Sequence, residues 1–240
     1  MTKRRITEQE DAYYRERARL LASCTADYIA DAPFLFATRI QSTAMLSRIE
    51  LFRMAMTIPG AIIECGVHRG NNLMLLLQLS LFLEPYAINR SIYGFDTFEG
   101  FQSITPGADP PDISERNFSD TNYQLLDDCI KMNDIVRPVS RIPRCELVRG
   151  DIVKTVPEFV ESRPDLCVAM LILDTDLYEP TKVALRHFLP RMPKGAIVVL
   201  DEVCYRNFPG ETQALREELD LNKIELQRFP YDTSVGYFRV

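Results

Sequence analysis

The stretch PGAIIECGVHRGNN, residues 59–72, decides the fold class that this sequence predicts. Ala61–Cys65 is a short aliphatic run of the kind that forms a fully buried strand, and a helical pattern begins at Asn71. Between them, Gly66 and Gly70 mark a tight loop with the glycines, but not the full G-x-G-x-x-G spacing, of a nucleotide-binding turn. A strand, a glycine loop and a helix in this order predict the first step of an open α/β sheet.

Short aliphatic runs continue to alternate with helical patterns after this stretch, which is typical of a parallel sheet with helices on both faces. A final pair of strand patterns favours an antiparallel pair at the end of the sheet, so we expect a Rossmann-like, mostly parallel twisted α/β sheet. The predicted strands are Ala61–Cys65, Ser91–Phe95, Cys145–Val148, Val168–Leu173, Ala196–Leu200, Ile224–Phe229 and Val235–Val240. The predicted helices among them are Asn71–Leu83, Asn122–Ile135, Thr155–Ser162, Thr181–Leu189 and Glu211–Asp220.

Two segments lie outside this alternation. Residues 1–57 show no strand pattern, while Glu8–Cys24 and Ala44–Met56 have helical periodicity with charged faces. We therefore expect a helical N-terminal arm or lid, followed by one domain over residues 58–240. Residues 103–120 are rich in Pro, Asp, Gly and Ser and predict a long loop, of the kind that covers a site or is mobile.

The composition argues against several classes of function. With 46% hydrophobic residues, the 240-residue chain can bury one domain and an extension. A net charge of −6 argues against a nucleic-acid partner. Met1–Glu10 is polar, unlike a signal peptide, and the most apolar stretch, Leu73–Leu83, is too short to cross a membrane. Because six scattered cysteines show neither zinc nor disulfide spacing, we expect a soluble, cytoplasmic protein with free thiols.

Acidic residues occupy the carboxyl ends of the five predicted parallel strands: Glu64, Asp96, Asp151, Asp174 and Asp201. This edge is where open α/β sheets bind ligands, so several carboxylates would line one crevice. Any one of them could instead cap a helix. Five together predict a ligand site.

The first three strand ends predict a site for S-adenosylmethionine. Glu64 would repel a pyrophosphate but attract the ammonium group of this cofactor, and Gly66 would let the backbone approach it. Asp96 is placed to accept hydrogen bonds from ribose hydroxyls. Asp151, with Gly150, is a candidate neighbour of the adenine, and a structural turn is the alternative. The remaining predicted cofactor contacts are Val67, Gly70 and Thr97.

The fourth and fifth strands each end in a pair of nearby carboxylates. Four such groups at adjacent strand ends would repel one another unless a cation joined them. An all-oxygen donor set favours Mg²⁺, with Mn²⁺ or Ca²⁺ possible, and we predict Asp174, Asp201 and Glu202 as ligands. Asp174 and Asp176 are the candidate catalytic residues. Asp176 is either a fourth ligand of the cation or the general base for a substrate hydroxyl. Helix caps and solvated turns are the alternative.

These motifs resemble the macrocin O-methyltransferase (TylF/MycF-like) family of sugar O-methyltransferases. The similar stretches are IPGAIIECGV at 58–67, FDTFEG at 95–100, LDTDLY at 173–178 and VLDE at 199–202. The resemblance implies a class I methyltransferase with a helical N-terminal region, magnesium dependence, homo-oligomers and a small hydroxylated substrate such as a glycoside of antibiotic biosynthesis. Two features depart from the family pattern: Glu202 replaces the second Asp of an Asp-Asp pair, and no histidine follows the fifth strand.

Three alternatives stay open at this point. The Asp-x-Asp at residues 174–176 also occurs in metal-dependent glycosyltransferases and in phosphohydrolases, although Glu64-x-Gly66 ahead of it argues against both. A cofactor-binding protein without catalysis is the third alternative. Of the two histidines, His187 is interpreted as structural, and His68 as a loop or cofactor contact outside the catalytic set.

Overall fold

The aliphatic runs pair into a seven-stranded sheet in the computed structural model, which describes residues 7–240. The spatial order of the strands is β3-β2-β1-β4-β5-β7-β6. The first five strands are parallel, and β7 runs antiparallel to both β5 and β6. Their bounds are β1 (Ala61–Cys65), β2 (Ile92–Asp96), β3 (Cys145–Arg149), β4 (Val168–Leu173), β5 (Ile197–Leu200), β6 (Gln227–Phe229) and β7 (Asp232–Arg239).

Helices precede the sheet and connect its strands. They are α1 (Glu8–Ala22), α2 (Ala26–Asp31), α3 (Arg39–Ala55), α4 (Asn71–Leu83), α5 (Tyr123–Ile135), α6 (Ile152–Ser162), α7 (Tyr178–Phe188) and α8 (Gly210–Glu218). Short 3₁₀ turns occur at Pro33–Leu35, Leu189–Arg191 and Leu221–Lys223. Across residues 7–240, none of these helices has the length and apolar character needed to cross a membrane.

The predicted fold class, a mostly parallel sheet with a terminal antiparallel pair, is confirmed. The two last strands meet across a tighter turn than predicted, because β7 already begins at Asp232. Strand β7 also lies between β5 and β6 rather than at the edge of the sheet. Residues 232–239 therefore fill an interior place in the sheet.

Several helices begin earlier than their hydrophobic periodicity predicts, because capping residues set their first turns. At α3, Thr38 Oγ1 accepts a hydrogen bond from the Gln41 backbone N–H at 3.2 Å, and Gln41 Oε1 accepts one from the Thr38 N–H at 2.9 Å. Asp151 caps α6 by accepting from the Val153 N–H at 3.0 Å. Such caps satisfy N–H groups that have no partner within the helix, which is why polar residues start helices ahead of the apolar stripe.

Each face of the sheet buries its own apolar cluster. Side chains from α6, α7 and α8, among them Phe159 and Phe188, cover one face, and α3, α4 and α5 cover the other. Strands β1 and β4 are buried along their whole length because helices cover both of their faces. Since successive side chains of a strand point to opposite faces, Ile62 faces the α3 side and Ile63 the α6 side.

The predicted N-terminal arm consists of two different parts. Within residues 7–240, neither α1 nor α2 contributes a fully buried side chain. Helix α3 instead buries Leu51 and Phe52 against the sheet, and Ser47 Oγ donates a hydrogen bond to Asp232 Oδ2 of β7 at 2.7 Å. Residues 1–6 of the arm lie outside the described residues. The domain boundary at 57/58 stays a prediction, but α3, on the arm side of it, packs as part of the core.

We expect Phe52→Ala to lower the free energy of unfolding by about 3–5 kcal/mol, because it removes a fully buried aromatic ring. Urea denaturation of the full chain measures this change. Arg53→Ala on the exposed side of the same helix is the control, with an expected change within about 0.5 kcal/mol. Equal stability of the two variants would show that α3 does not belong to the core.

Candidate functional site

A crevice of about 280 Å³ opens at the carboxyl ends of the central parallel strands. Among the predicted site residues, those that line it are Gly66, Asp96, Thr97, Asp151, Asp174 and Asp176. Its other walls come from His68, Gly100, Phe101, Gln102, Phe118, Ile152, Thr175, Leu177 and Pro180. The crevice therefore lies at the edge of the sheet that the acidic strand ends predicted.

Gly66 is required where the ends of β1 and β4 come closest. Its φ is +91°, and a Cβ at this position would lie 1.8 Å from the backbone oxygen of Asp174. The two strand ends are also tied directly, since the Asp174 N–H donates to Cys65 O at 2.9 Å. A side chain at residue 66 would thus separate the glycine loop from the strand that carries Asp174 and Asp176.

The carboxylate of Asp96 organises the glycine loop. Its Oδ2 accepts hydrogen bonds from the backbone N–H groups of Val67 and His68, both at 2.8 Å, and its Oδ1 accepts one from Phe98 at 2.6 Å. Val67 contributes this backbone group to the site while its side chain is buried. Asp96 therefore supports the loop and also lines the crevice, and its predicted contact with ribose hydroxyls stays a prediction.

Asp151 has a structural role at the end of β3. It caps α6 and accepts a hydrogen bond from Ser103 Oγ at 2.9 Å, so it also anchors the start of the long loop. Gly150, with φ +135°, does not line the crevice, nor does Gly70 at the start of α4. The turn role that was the alternative for Asp151 is thus present, and the predicted adenine contact stays a prediction.

Hydrogen bonds and an ion pair hold the long loop of residues 103–120 beside the crevice. Asp109, whose pKa is raised by burial, accepts hydrogen bonds from the N–H groups of Thr105 at 2.6 Å and Tyr178 at 2.8 Å. Asp120 lies 2.8 Å from His68 Nε2 and pairs with Arg69, and these two hydrogen bonds lower the pKa of Asp120 to about 2. His68 is therefore a loop contact, one of the two roles predicted for it.

The acidic residues of β4 and β5 influence one another, as their spacing predicted. Burial, followed by the charges of Asp201 and Asp176, raises the pKa of Asp174 well above its usual value. Burial and then Asp201 raise the pKa of Asp176 to about 7, and burial, Asp176 and Asp201 raise that of Glu202 to about 8. The backbone of Asp176 has a φ of +60°, an uncommon conformation for a residue with a side chain.

Arg48 of α3 is a member of this cluster that sequence reasoning missed. Its side chain is 1% exposed and its Nη2 pairs with Asp201 Oδ1, while Nε and Nη1 have no hydrogen-bond partner. Burial opposes the charge, but the carboxylates of Asp201, Asp174 and Glu64 together raise the pKa of Arg48 above its usual value. In the sequence, residue 48 reads only as part of the charged face of an amphipathic helix.

Glu211, in the first turn of α8, is the second residue that sequence reasoning missed. Its Oε1 accepts hydrogen bonds from the N–H groups of Thr175 at 3.1 Å and Asp176 at 3.2 Å, and its Oε2 accepts one from Glu202 at 3.2 Å. Burial, joined by the charges of Asp176 and Asp201, raises the pKa of Glu211 well above its usual value. One carboxyl group thus holds the turns after β4 and β5 together.

Glu64 lies beneath the glycine loop rather than in the crevice wall. Its side chain is 1% exposed, and burial raises its pKa to about 8 against the opposing effects of Arg48 and a hydrogen bond from Asn72. By strand alternation, Glu64, Asp174 and Asp201 all point to the α3 face, where Arg48 lies. The predicted contact of Glu64 with the cofactor stays a prediction.

The acidic cluster fits a divalent cation in charge and in donor type. All its donors are oxygens, and the buried Oε2 of Glu202 has no hydrogen-bond partner. Within residues 7–240, no group of three or more His, Cys, Asp or Glu side chains is already arranged to hold a metal ion. Asp201 is instead paired with Arg48.

The fold and the crevice together define a class I methyltransferase. Residues 45–239 match the family model of the macrocin-O-methyltransferases (TylF), so the chain belongs to this family of S-adenosylmethionine-dependent O-methyltransferases. The mycinamicin III 3''-O-methyltransferase of Micromonospora griseorubida is 27% identical over 187 residues, which cover 76% of this chain and 69% of that protein. The resemblance that the motifs indicated is thereby confirmed.

Solved structures show the same relationship along almost the whole chain. A structure of the calicheamicin methyltransferase CalS11 superimposes with a TM-score of 0.90 at 31% identity, covering 97% of this chain and 93% of that one. An apo structure of CalS11, described as a TDP-rhamnose 3'-O-methyltransferase, superimposes with a TM-score of 0.82 at 30% identity. The match covers 97% of this chain and 95% of that one. The O-methyltransferase NovP, at 18% identity and a TM-score of 0.63 over 82% of this chain and 78% of that one, shares the fold.

We expect Glu64→Gln to remove part of the pH dependence of stability. The pKa of Glu64 is about 8 in the folded protein, against 4.5 for a free glutamate. Between these pH values the unfolded chain has lost this proton while the folded protein still holds it. The free energy of unfolding therefore falls as the pH rises through this range. Relative to the parent, the free energy of unfolding of the variant should rise by a few kcal/mol between about pH 5 and about pH 8. The expected slope is about 1.4 kcal/mol per pH unit.

Chemical denaturation of both proteins across this pH range measures the gain. Glu158→Gln on the exposed side of α6 is the matched control and should leave the pH profile unchanged. A constant difference in stability between the Glu64→Gln protein and the parent at every pH would contradict the expectation.

Proposed function

We propose that the protein transfers the methyl group of S-adenosylmethionine to a hydroxyl group of a sugar, in a natural product or a nucleotide-sugar, with the aid of a divalent cation. The observation that carries this proposal is the crevice at the carboxyl edge of the sheet, lined by Gly66, Asp96 and Asp176, in a chain of the macrocin-O-methyltransferase family. The names of its relatives support a sugar acceptor, since CalS11 is a TDP-rhamnose 3'-O-methyltransferase and another relative methylates mycinamicin III.

The cofactor end of the proposed site comprises the loop after β1 and the turns after β2 and β3. S-adenosylmethionine supplies a methyl group on a positively charged sulfur. Gly66 would let its methionine part approach the backbone, the carboxylate of Asp96 would accept hydrogen bonds from the ribose, and Asp151 would be a neighbour of the adenine. Glu64, buried near the loop, would supply a carboxyl group beside the ammonium group of the cofactor. The remaining predicted contacts, Val67, Gly70, Thr97 and Gly150, shape the loops that carry these groups.

The acceptor end of the proposed site comprises the turns after β4 and β5. Asp174, Asp201 and Glu202 would hold Mg²⁺, or Mn²⁺ or Ca²⁺ in its place. A cation bound there would lower the pKa of the acceptor hydroxyl and help to orient it. Asp176 lines the crevice and is nearly buried, so its carboxylate can accept the hydroxyl proton as the oxygen forms its bond to the methyl carbon and the sulfur leaves.

The same proposal covers location and assembly. We place the reaction in the cytoplasm, where free thiols stay reduced. We also propose a homo-oligomer, in which a second copy covers apolar side chains that the arm exposes, such as Tyr28, Phe34 and Leu35. Light scattering of the full chain would detect it.

Calorimetric titration with S-adenosylhomocysteine, with and without Mg²⁺, tests the cofactor part of this proposal. We expect saturable binding, because the reaction product keeps the ribose, adenine and methionine groups that the site would contact. Uridine diphosphate sugars, titrated in parallel, should not bind in place of S-adenosylhomocysteine. Tight binding of the nucleotide-sugars without any binding of the adenosyl ligand would instead favour the glycosyltransferase alternative.

We expect Asp176→Asn to lower kcat for methyl transfer about 10²- to 10⁴-fold, because the amide cannot accept the hydroxyl proton. The affinity for S-adenosylhomocysteine should change little, since Asp176 is assigned to the acceptor end. Transfer of the labelled methyl group to a TDP-deoxysugar measures the rate, and Asp165→Asn on the exposed surface is the control. Full activity of Asp176→Asn would exclude Asp176 as the base.

A further inference from the structure

We propose that Arg48 is a positioning residue for the cation site: it holds Asp201 from the buried side and so sets the affinity of the acidic cluster for Mg²⁺. This inference rests on the proposed function, because it assumes that Asp201 is a ligand. The inference starts from the contact between Arg48 of α3 and Asp201 at the end of β5, which lie 153 positions apart in the sequence.

The geometry of the contact leaves Asp201 able to bind a cation. Arg48 is 1% exposed, whereas 26% of the Asp201 side chain remains exposed, so the guanidinium approaches from the interior. The hydrogen bond goes to Oδ1 of Asp201. The lone pairs of Oδ2 are therefore available to a cation that enters from the opposite side. Groups that hold a ligating carboxylate in this way typically change metal affinity 10- to 100-fold when removed.

The charge of Arg48 also limits repulsion before a cation binds. Glu64, Asp174 and Asp201 point to the same face of the sheet, and Arg48 lies among them. Without this guanidinium Asp201 would lose its buried partner and could move away from the other carboxyl groups, which would reduce the affinity for a cation. The positive charge itself opposes a cation, but it is fixed on the interior side of Asp201.

Helix α3 is held firmly enough to position Arg48. The neighbouring Ser47 donates to Asp232 of β7 at 2.7 Å, and Tyr231 OH donates to Glu50 Oε1 of the same helix at 3.1 Å. Leu51 and Phe52 anchor the next turn in the core. Arg48 thus links the helical segment before the sheet to the acceptor end of the crevice.

The test is calorimetric titration of the full chain with Mg²⁺ alone, and with Mn²⁺ monitored by electron paramagnetic resonance. We expect Arg48→Met to weaken cation binding 10- to 100-fold. Arg48→Lys keeps the buried charge but not the planar fork, so it should also bind more weakly than the parent. If Arg48→Met does not fold, the cation affinity of Arg48→Lys decides the test.

Two controls separate positioning from stability alone. Arg90→Met removes another buried arginine, at the opposite edge of the sheet, and should lower the melting temperature without changing cation affinity. Arg53→Gln on the exposed side of α3 should change neither quantity.

The outcomes are distinct. Cation affinity in both Arg48 variants equal to that of the parent would overturn the inference and leave the proposed function intact. Tighter binding would overturn it as well and would show that Arg48 competes with the cation. If the parent binds neither Mg²⁺ nor Mn²⁺, the cation part of the proposed function fails, and the inference fails with it.

Discussion

A concentration of buried negative charge at the ends of β1, β4 and β5 is the constraint on which the site depends. Arg48 pairs with Asp201 there and also interacts electrostatically with Asp174 and Glu64. The carboxyl groups of this cluster are those of Glu64, Asp174, Asp176, Asp201, Glu202 and Glu211. Burial of so many acids opposes folding, and their raised pKa values express that cost. Proteins keep such arrangements at functional sites, where ligands restore the balance of charge.

The backbone around this cluster is fixed by contacts that leave the side chains free to act. Glu211 holds the turns after β4 and β5 through their N–H groups, and Asp96 does the same for the glycine loop. The close approach of Gly66 to Asp174 brings the glycine loop and the end of β4 together. The loops of the crevice are therefore held by contacts within the chain itself, which reduces the entropy that ligand binding would otherwise cost.

Much of the fold could be predicted from the sequence because its signals are local. The aliphatic runs at β1 and β4 and the apolar stripes of α4 and α5 predicted their elements closely. The starts of α3 and α6 were predicted too late because hydrophobic periodicity does not register polar capping turns. The place of β7 depends on pairing with a strand more than thirty residues earlier. The acidic strand ends were visible by position alone. Arg48 and Glu211 were not, because their partners are distant in sequence.

The interior place of β7 has a consequence for synthesis. Residues 232–239 cover an edge of β5, whose side chains are wholly buried in the finished sheet. While a ribosome is still making the chain, β5 emerges before β7 has been synthesised. Until then, the N–H and C=O groups along this edge of β5, which lie beside apolar side chains, stay unpaired. Such an exposed edge invites pairing with other nascent chains. The same wait delays the anchor of α3, because Ser47 cannot reach Asp232 until β7 has been made. Helix α3, which carries Arg48, thus gains its contact with β7 only after that strand has been made.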